Sequence, residues 1–137
     1  NNGGSSFVDF NDILSGKLDL LKMDASFAGR YLNYGFSGGE KKRAEVLQLA
    51  VLQPKIAIMD ETDSGLDVDS LKVVANGLNS LVKEGTGILL IKHYQRILNH
   101  VKPQFVHVLV GGKIIKSGDY SLAREIEKKG YEAIANG

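Results

Sequence analysis

The chain has 137 residues, 43% of them hydrophobic and 24% charged, with a formal net charge of +1 and no cysteine. That length amounts to one domain or less, with a modest core, and a near-neutral balance of interleaved acids and bases gives no electrostatic reason to expect nucleic acid or a membrane surface as partner. The missing cysteines exclude disulfides, thiolate metal sites and cysteine nucleophiles, and no apolar run reaches the roughly 18 residues that span a bilayer.

Residues 1–8 read as a flexible end, opening on the polar, glycine-rich Asn1-Asn2-Gly3-Gly4-Ser5-Ser6. They resemble neither a secretory signal nor an arginine-rich transit peptide, and the missing initiator methionine suits a piece of a longer protein. Between 9 and 23, Phe10, Ile13, Leu14, Leu18 and Leu21 recur at three- and four-residue steps, which predicts a helix interrupted near Gly16. A second short helix is expected over 24–31, before Asn33-Tyr34-Gly35 breaks the pattern. Over 39–52 a helix is expected with Ala44, Leu47, Gln48 and Val51 on one face, Glu40, Lys41, Lys42 and Arg43 in its first turn, and Pro54 ending it.

Residues 55–59 form a short apolar run between a proline and two acids, the pattern of a buried parallel strand. An amphipathic helix follows over 69–83, with Leu71, Val74, Leu78 and Leu81 inward. Residues 87–91 predict a second buried strand, then a loop at Lys92-His93 and a helix over 94–100 that Pro103 closes. Two strands, 105–110 and 113–117, flank Gly111-Gly112 as a two-residue hairpin. A last helix is expected over 121–129 with Ser121 as N-cap. Three segments are expected: 1–8 flexible, 9–53 helical, and 54–137 an α/β core. The fold class is α/β, a parallel sheet with an antiparallel edge hairpin.

Four constellations could carry chemistry. Ser37-Gly38-Gly39-Glu40 sits at a helix start, where free N–H groups and two glycines can receive an anion with the Ser37 hydroxyl as an extra donor; an ordinary N-cap would look the same. Asp60-Glu61 closes an apolar strand, where ligands sit in open α/β sheets. Asp60 could hold Mg²⁺ and Glu61 could orient or deprotonate a water, or both could be solvated loop acids. Thr62-Asp63-Ser64-Gly65-Leu66-Asp67 is a tight polar loop, by itself a turn. His93 follows a strand and could donate to a developing oxyanion, or be structural; His100 and His107 read as structural. No segment fits G-x-x-x-x-G-K-[ST], so the backbone cradle and lysine that hold ATP phosphates in cis are missing from these residues.

In order and spacing, these pieces resemble ABC-type ATPases. Phe36-Ser37-Gly38-Gly39-Glu40-Lys41-Lys42-Arg43 resembles the signature motif, residues 56–61 resemble Walker B with its glutamate, Ser64-Gly65-Leu66-Asp67 the D-loop, and His93 the switch histidine. The wording of 36–43, 60–69, His93-Tyr94-Gln95-Arg96-Ile97-Leu98, Val101-Lys102-Pro103, Val106-His107-Val108-Leu109 and Lys116-Ser117-Gly118-Asp119 is similar to the SufC family, soluble ATPases of iron–sulfur cluster assembly, across residues 9–132.

The resemblance implies a partial P-loop NTPase fold with part of the helical subdomain, ATP and Mg²⁺ as ligands, SufB/SufD-like scaffold proteins as partners, and a transient homodimer. It implies work in the cytoplasm or an organellar stroma. Ser37 and Gly39 would contact the γ-phosphate of ATP held by the partner subunit, Gly38 and Glu40 would belong to the same nucleotide-binding turn, and Asp67 would cross the dimer interface. Asp60 would position Mg²⁺, with Glu61 and His93 catalytic. The chain departs from the family pattern at Lys92, where Thr or Ser is usual; that long cation would stand beside the γ-phosphate or point to solvent. Two other readings remain: a non-catalytic interaction module, and an ATPase subunit of a membrane transporter.

Overall fold

The structure, a computed structural model, describes residues 7–32, 34–60, 65–92 and 96–130. The chain divides into two compact units, residues 1–93 and 94–137. The first holds α1 (Phe7–Leu20), a 3-10 turn (Ala25–Gly29), α2 (Gly38–Leu52), β1 (Ile56–Asp60), α3 (Val68–Lys83) and β2 (Gly87–Ile91).

Helix α1 runs unbroken through Gly16, correcting the expected interruption. A glycine inside a helix costs about 1 kcal/mol without breaking it, and no neighbouring atom crowds Gly16. The helix docks by its last turn: Leu18 and the following Leu21 are buried, Leu14 is half-buried, and Phe10 and Ile13 stay exposed against expectation. The helix expected over 24–31 is the five-residue 3-10 turn, capped by Asp24, whose carboxylate accepts the Ser26 N–H at 2.8 Å.

The buried face of α2 is Ala44, Val46 and Ala50. Of the face expected from periodicity, only Ala44 is fully buried; Leu47 and Val51 are half-buried, and Gln48 turns its amide back onto the Ala44 carbonyl of its own helix. The cause is a close helix crossing. A Cβ on Gly77 of α3 would stand 2.7 Å from Leu21 Cδ2 and 2.8 Å from Val46 Cγ1, so α1's exit, α2 and α3 meet at a point with no room for a methyl group. In α3 all four expected inward residues, Leu71, Val74, Leu78 and Leu81, are buried. Helix α2 ends at Gln53, left-handed at φ 45°, just before Pro54.

Strands β1 and β2 pair in parallel from Ile56↔Gly87 to Asp60↔Ile91. The buried Thr86 hydroxyl donates to the Pro54 carbonyl at 2.9 Å, fixing the entry to both strands. The expected full burial is corrected: Ala57 and Met59 are buried, whereas Ile56 and Ile58 are 73% and 69% exposed. A parallel sheet is buried on both faces only when helices cover both, and the described residues cover one.

The second unit begins with a 3-10 turn, Arg96–Asn99, within the helix expected over 94–100; Tyr94 and Gln95 lie outside the described residues. Strands β3 (Val106–Val110) and β4 (Lys113–Gly118) form the expected antiparallel hairpin as a sheet of their own. Gly111 and Gly112 have φ of 55° and 77°, the pair of positive values a two-residue I′ turn requires. Helix α4 (Tyr120–Lys129) is capped by Asp119 rather than Ser121, because the Asp119 carboxylate accepts both the N–H and the hydroxyl of Ser121. Val108, Leu122 and Ile126 form the core of this unit. No helix among the described residues is long and apolar enough to cross a membrane.

Candidate functional site

The glycine turn begins α2 as a complete capping box. Ser37 Oγ accepts the Glu40 N–H at 3.2 Å, and the Glu40 carboxylate accepts the Ser37 N–H at 2.7 Å. These bonds from the Ser37 backbone and side chain hold the Glu40 carboxyl below its usual range, with smaller help from Arg30 and Arg43. The Ser37 hydroxyl and Glu40 are therefore already bonded to each other's backbone. The first-turn N–H groups of Gly38 and Gly39 have no acceptor within the helix, so an anion arriving here would meet backbone donors. Behind the turn, Phe36 is buried with its ring edge-on to Phe27 at 4.9 Å, and Arg30 lies over Phe27 at 4.6 Å.

Gly39 is fixed by a second demand. A Cβ there would stand 3.0 Å from Ser70 Oγ, so the turn lies directly against the start of α3. That helix is capped by Asp67, whose carboxylate accepts the Ser70 N–H at 2.7 Å. The Ser70 N–H and hydroxyl, then the Arg43 charge, hold the Asp67 carboxyl below its usual range. Arg43, one turn after Gly39, donates Nη2 to Ser70 Oγ at 3.2 Å and Nη1 to the Lys22 carbonyl at 3.2 Å. Residues 37–40 and Asp67, 27 positions beyond Glu40, thus form one packed group through Arg43 and Ser70. Sequence reasoning gave neither linking residue a role. The available signal was helical spacing, since a glycine and an arginine at i and i+4 share a face.

Asp60 sits elsewhere. It is the exposed last residue of β1, beside a groove of about 340 Å³ lined by Glu45, Gln48, Leu49, Leu52, Ile58 and Met59. None of the residues 37–40 or Asp67 lines that groove. Among the described residues no group of three or more His, Asp or Glu could hold a metal. A single strand-end carboxylate still suits magnesium, which keeps waters and takes phosphate oxygens for its remaining positions. Glu61 and His93, like 62–64, lie outside the described residues. Lys92 follows β2 directly and is half-buried.

No protein-family profile matches the chain. Curated relatives do. Probable ATP-dependent transporter ycf16 of Guillardia theta is 53% identical over 129 residues, covering 94% of this chain and 51% of that protein. Probable ATP-dependent transporter SufC of Escherichia coli is 53% identical over 123 residues, covering 90% and 50%. Over the part of those proteins that it spans, the chain belongs to the SufC/ycf16 family of ABC-type ATPases. It spans about half the length of these relatives. Solved structures agree on the fold: the ADP conformation of MJ1267, an ATP-binding cassette of an ABC transporter, superposes with a TM-score of 0.70 at 23% identity, covering 94% of this chain and 50% of that one. A nucleotide-free ABC-transporter cassette gives 0.69 at 21% identity, covering 100% and 58%. The ABC ATPase fold expected from the motifs is therefore the fold of this chain.

Proposed function

We propose that the protein carrying this chain hydrolyses ATP as the ATPase of a Suf-type iron–sulfur cluster assembly system. The observation that carries the reading is the junction of the glycine turn with the Asp67 cap. It joins an anion-receiving helix start and a carboxylate turn in one rigid group, as a surface that meets a partner-held nucleotide requires. In this reading Ser37, Gly38, Gly39 and Glu40 face the γ-phosphate of ATP on the partner subunit, with backbone N–H groups of Gly38 and Gly39 as donors. Glu40 keeps Ser37 in place, and Asp67 crosses to the partner.

At the other locus, Asp60 would hold Mg²⁺, which when bound would supply charge neutralisation at the phosphates. Glu61 polarises the attacking water, and His93 bonds the γ-phosphate oxygens. The phosphate cradle that completes this second site comes from a segment beyond these 137 residues. Productive closure is a transient homodimer through the signature turn and the Asp67 loop, and its cycle rearranges SufB/SufD-like scaffold proteins in the cytoplasm or an organellar stroma.

The test is Glu61→Gln in the protein encoded by the complete gene. It is expected to abolish turnover while leaving ATP binding largely intact. Hydrolysis at the parental rate in that variant overturns the assignment.

A further inference from the structure

Arg43 occupies an unusual position for a cation in the first turns of a helix. It is half-buried, and no carboxylate among the described residues is bonded to it, although its charge acts on Asp67 and Glu40. Its guanidinium reaches across to two other segments, the Lys22 carbonyl after α1 and the Ser70 hydroxyl in the first turn of α3, each at 3.2 Å. Its Nε is buried and has no hydrogen-bond acceptor among the described residues. Leaving a buried N–H unpaired costs roughly 1–3 kcal/mol, so the fold retains the arginine here at the expense of one donor. The rigid planar fork, with donors on two separate nitrogens, is a geometry that lysine's single ammonium lacks.

The partner of that fork is itself doubly engaged. Ser70 is buried, its N–H is held by Asp67, and its Oγ is the atom that a side chain on Gly39 would strike. A movement of the Asp67 turn therefore moves Ser70. Movement of Ser70 displaces either the Gly39 turn or the Arg43 bond.

We propose that Arg43 is a positioning residue that, through Ser70, locks the glycine turn at 37–39 and the Asp67 turn into one unit, so that both reach the partner-held nucleotide in register. The inference rests on the reading of those two turns given above and deepens it. Arg43 touches no substrate; it sets the geometry of groups that do.

The experiment uses the protein encoded by the complete gene, with Arg43→Met, Arg43→Lys, Ser70→Ala and the Arg43→Met/Ser70→Ala double variant. Glu61→Gln is the control, and the probes are ATP turnover and cis binding of a fluorescent ATP analogue. Arg43→Met and Ser70→Ala are each expected to lower kcat by roughly 2- to 30-fold, the range for breaking a coupling contact, with analogue binding unchanged. The double variant is expected to be no slower than the slower single one, because both remove the same link. Arg43→Lys is expected to restore thermal stability but not kcat. Independent, multiplicative losses, or parental kcat in Arg43→Met, overturn the inference while a dead Glu61→Gln leaves the underlying reading intact. Parental turnover in Glu61→Gln overturns the reading itself, and the inference with it.

Discussion

At the scale of single residues, the site is built from caps that do two things at once. Asp67 satisfies an orphan N–H of α3 and, in the proposed assembly, faces a partner subunit. The two roles separate by substitution. Asp67→Ala removes the cap and is expected to destabilise the fold by about 1 kcal/mol, read as a lower urea midpoint. Asp67→Asn keeps an acceptor for Ser70, so it is expected to hold the parental midpoint while losing the charge; a stability loss equal to that of the alanine variant would show that charge, not capping, is what the fold needs. The caps at Ser37 and Asp67 were half legible in the sequence. Residue types and spacing marked the glycine turn and the carboxylate loop, but the bond joining them links positions 27 apart, Arg43 and Ser70, and no local pattern signals it.

At the scale of elements, the three helices of the first unit show why some faces can be read and others cannot. Helix α3 buries large aliphatic side chains at helical spacing, and its face was plain in the sequence. Helix α2 buries two alanines and a valine, small side chains that barely mark a face; its contact is decided by a glycine on the other helix. The strands failed for a related reason, since apolar runs declare that burial is intended but not which face the neighbours cover. Gly77→Ala sharpens the point. Helix propensity alone would favour the change by about 1 kcal/mol, yet the added methyl would stand under 3 Å from Leu21 and Val46. Overpacking of this kind costs roughly 1–3 kcal/mol, so the variant is expected to melt at a lower temperature; a higher Tm would mean that α1's exit swings away freely.

At the scale of the whole molecule, Glu84 ties three helices. Its carboxylate accepts Lys17 Nζ from α1 at 2.8 Å, Gln53 Nε2 from the end of α2 at 3.2 Å and Ser80 Oγ from α3 at 3.0 Å. The Lys17 bond first, then Ser80, the Lys17 charge and Gln53, hold its carboxyl below the usual 4.5. A carboxyl lowered by folding contributes stability that is fully present above its ordinary value and is lost as pH falls through the depressed folded value. Glu84→Gln is therefore expected to destabilise the protein at pH 7 by about 1 kcal/mol or less, as befits a solvated pair, and to have a smaller effect once the parent is acidified below that value. A penalty that stays constant down to pH 2 would assign the effect to shape instead of charge. The fold class was legible from the alternation of strand and helix, and the family from a few rare words; the covered face of β1 and β2 was not, because the cover is supplied by other chain segments. The two adjacent glycines of the signature turn differ in what they can reveal. A methyl group on Gly39 collides with Ser70, whereas one on Gly38 meets nothing within 4 Å. Loss of activity on substituting Gly39 is therefore confounded by pressure on Ser70, and the same substitution one residue earlier leaves that contact untouched, making Gly38 the position at which ligand contact can be probed without disturbing the machinery behind it.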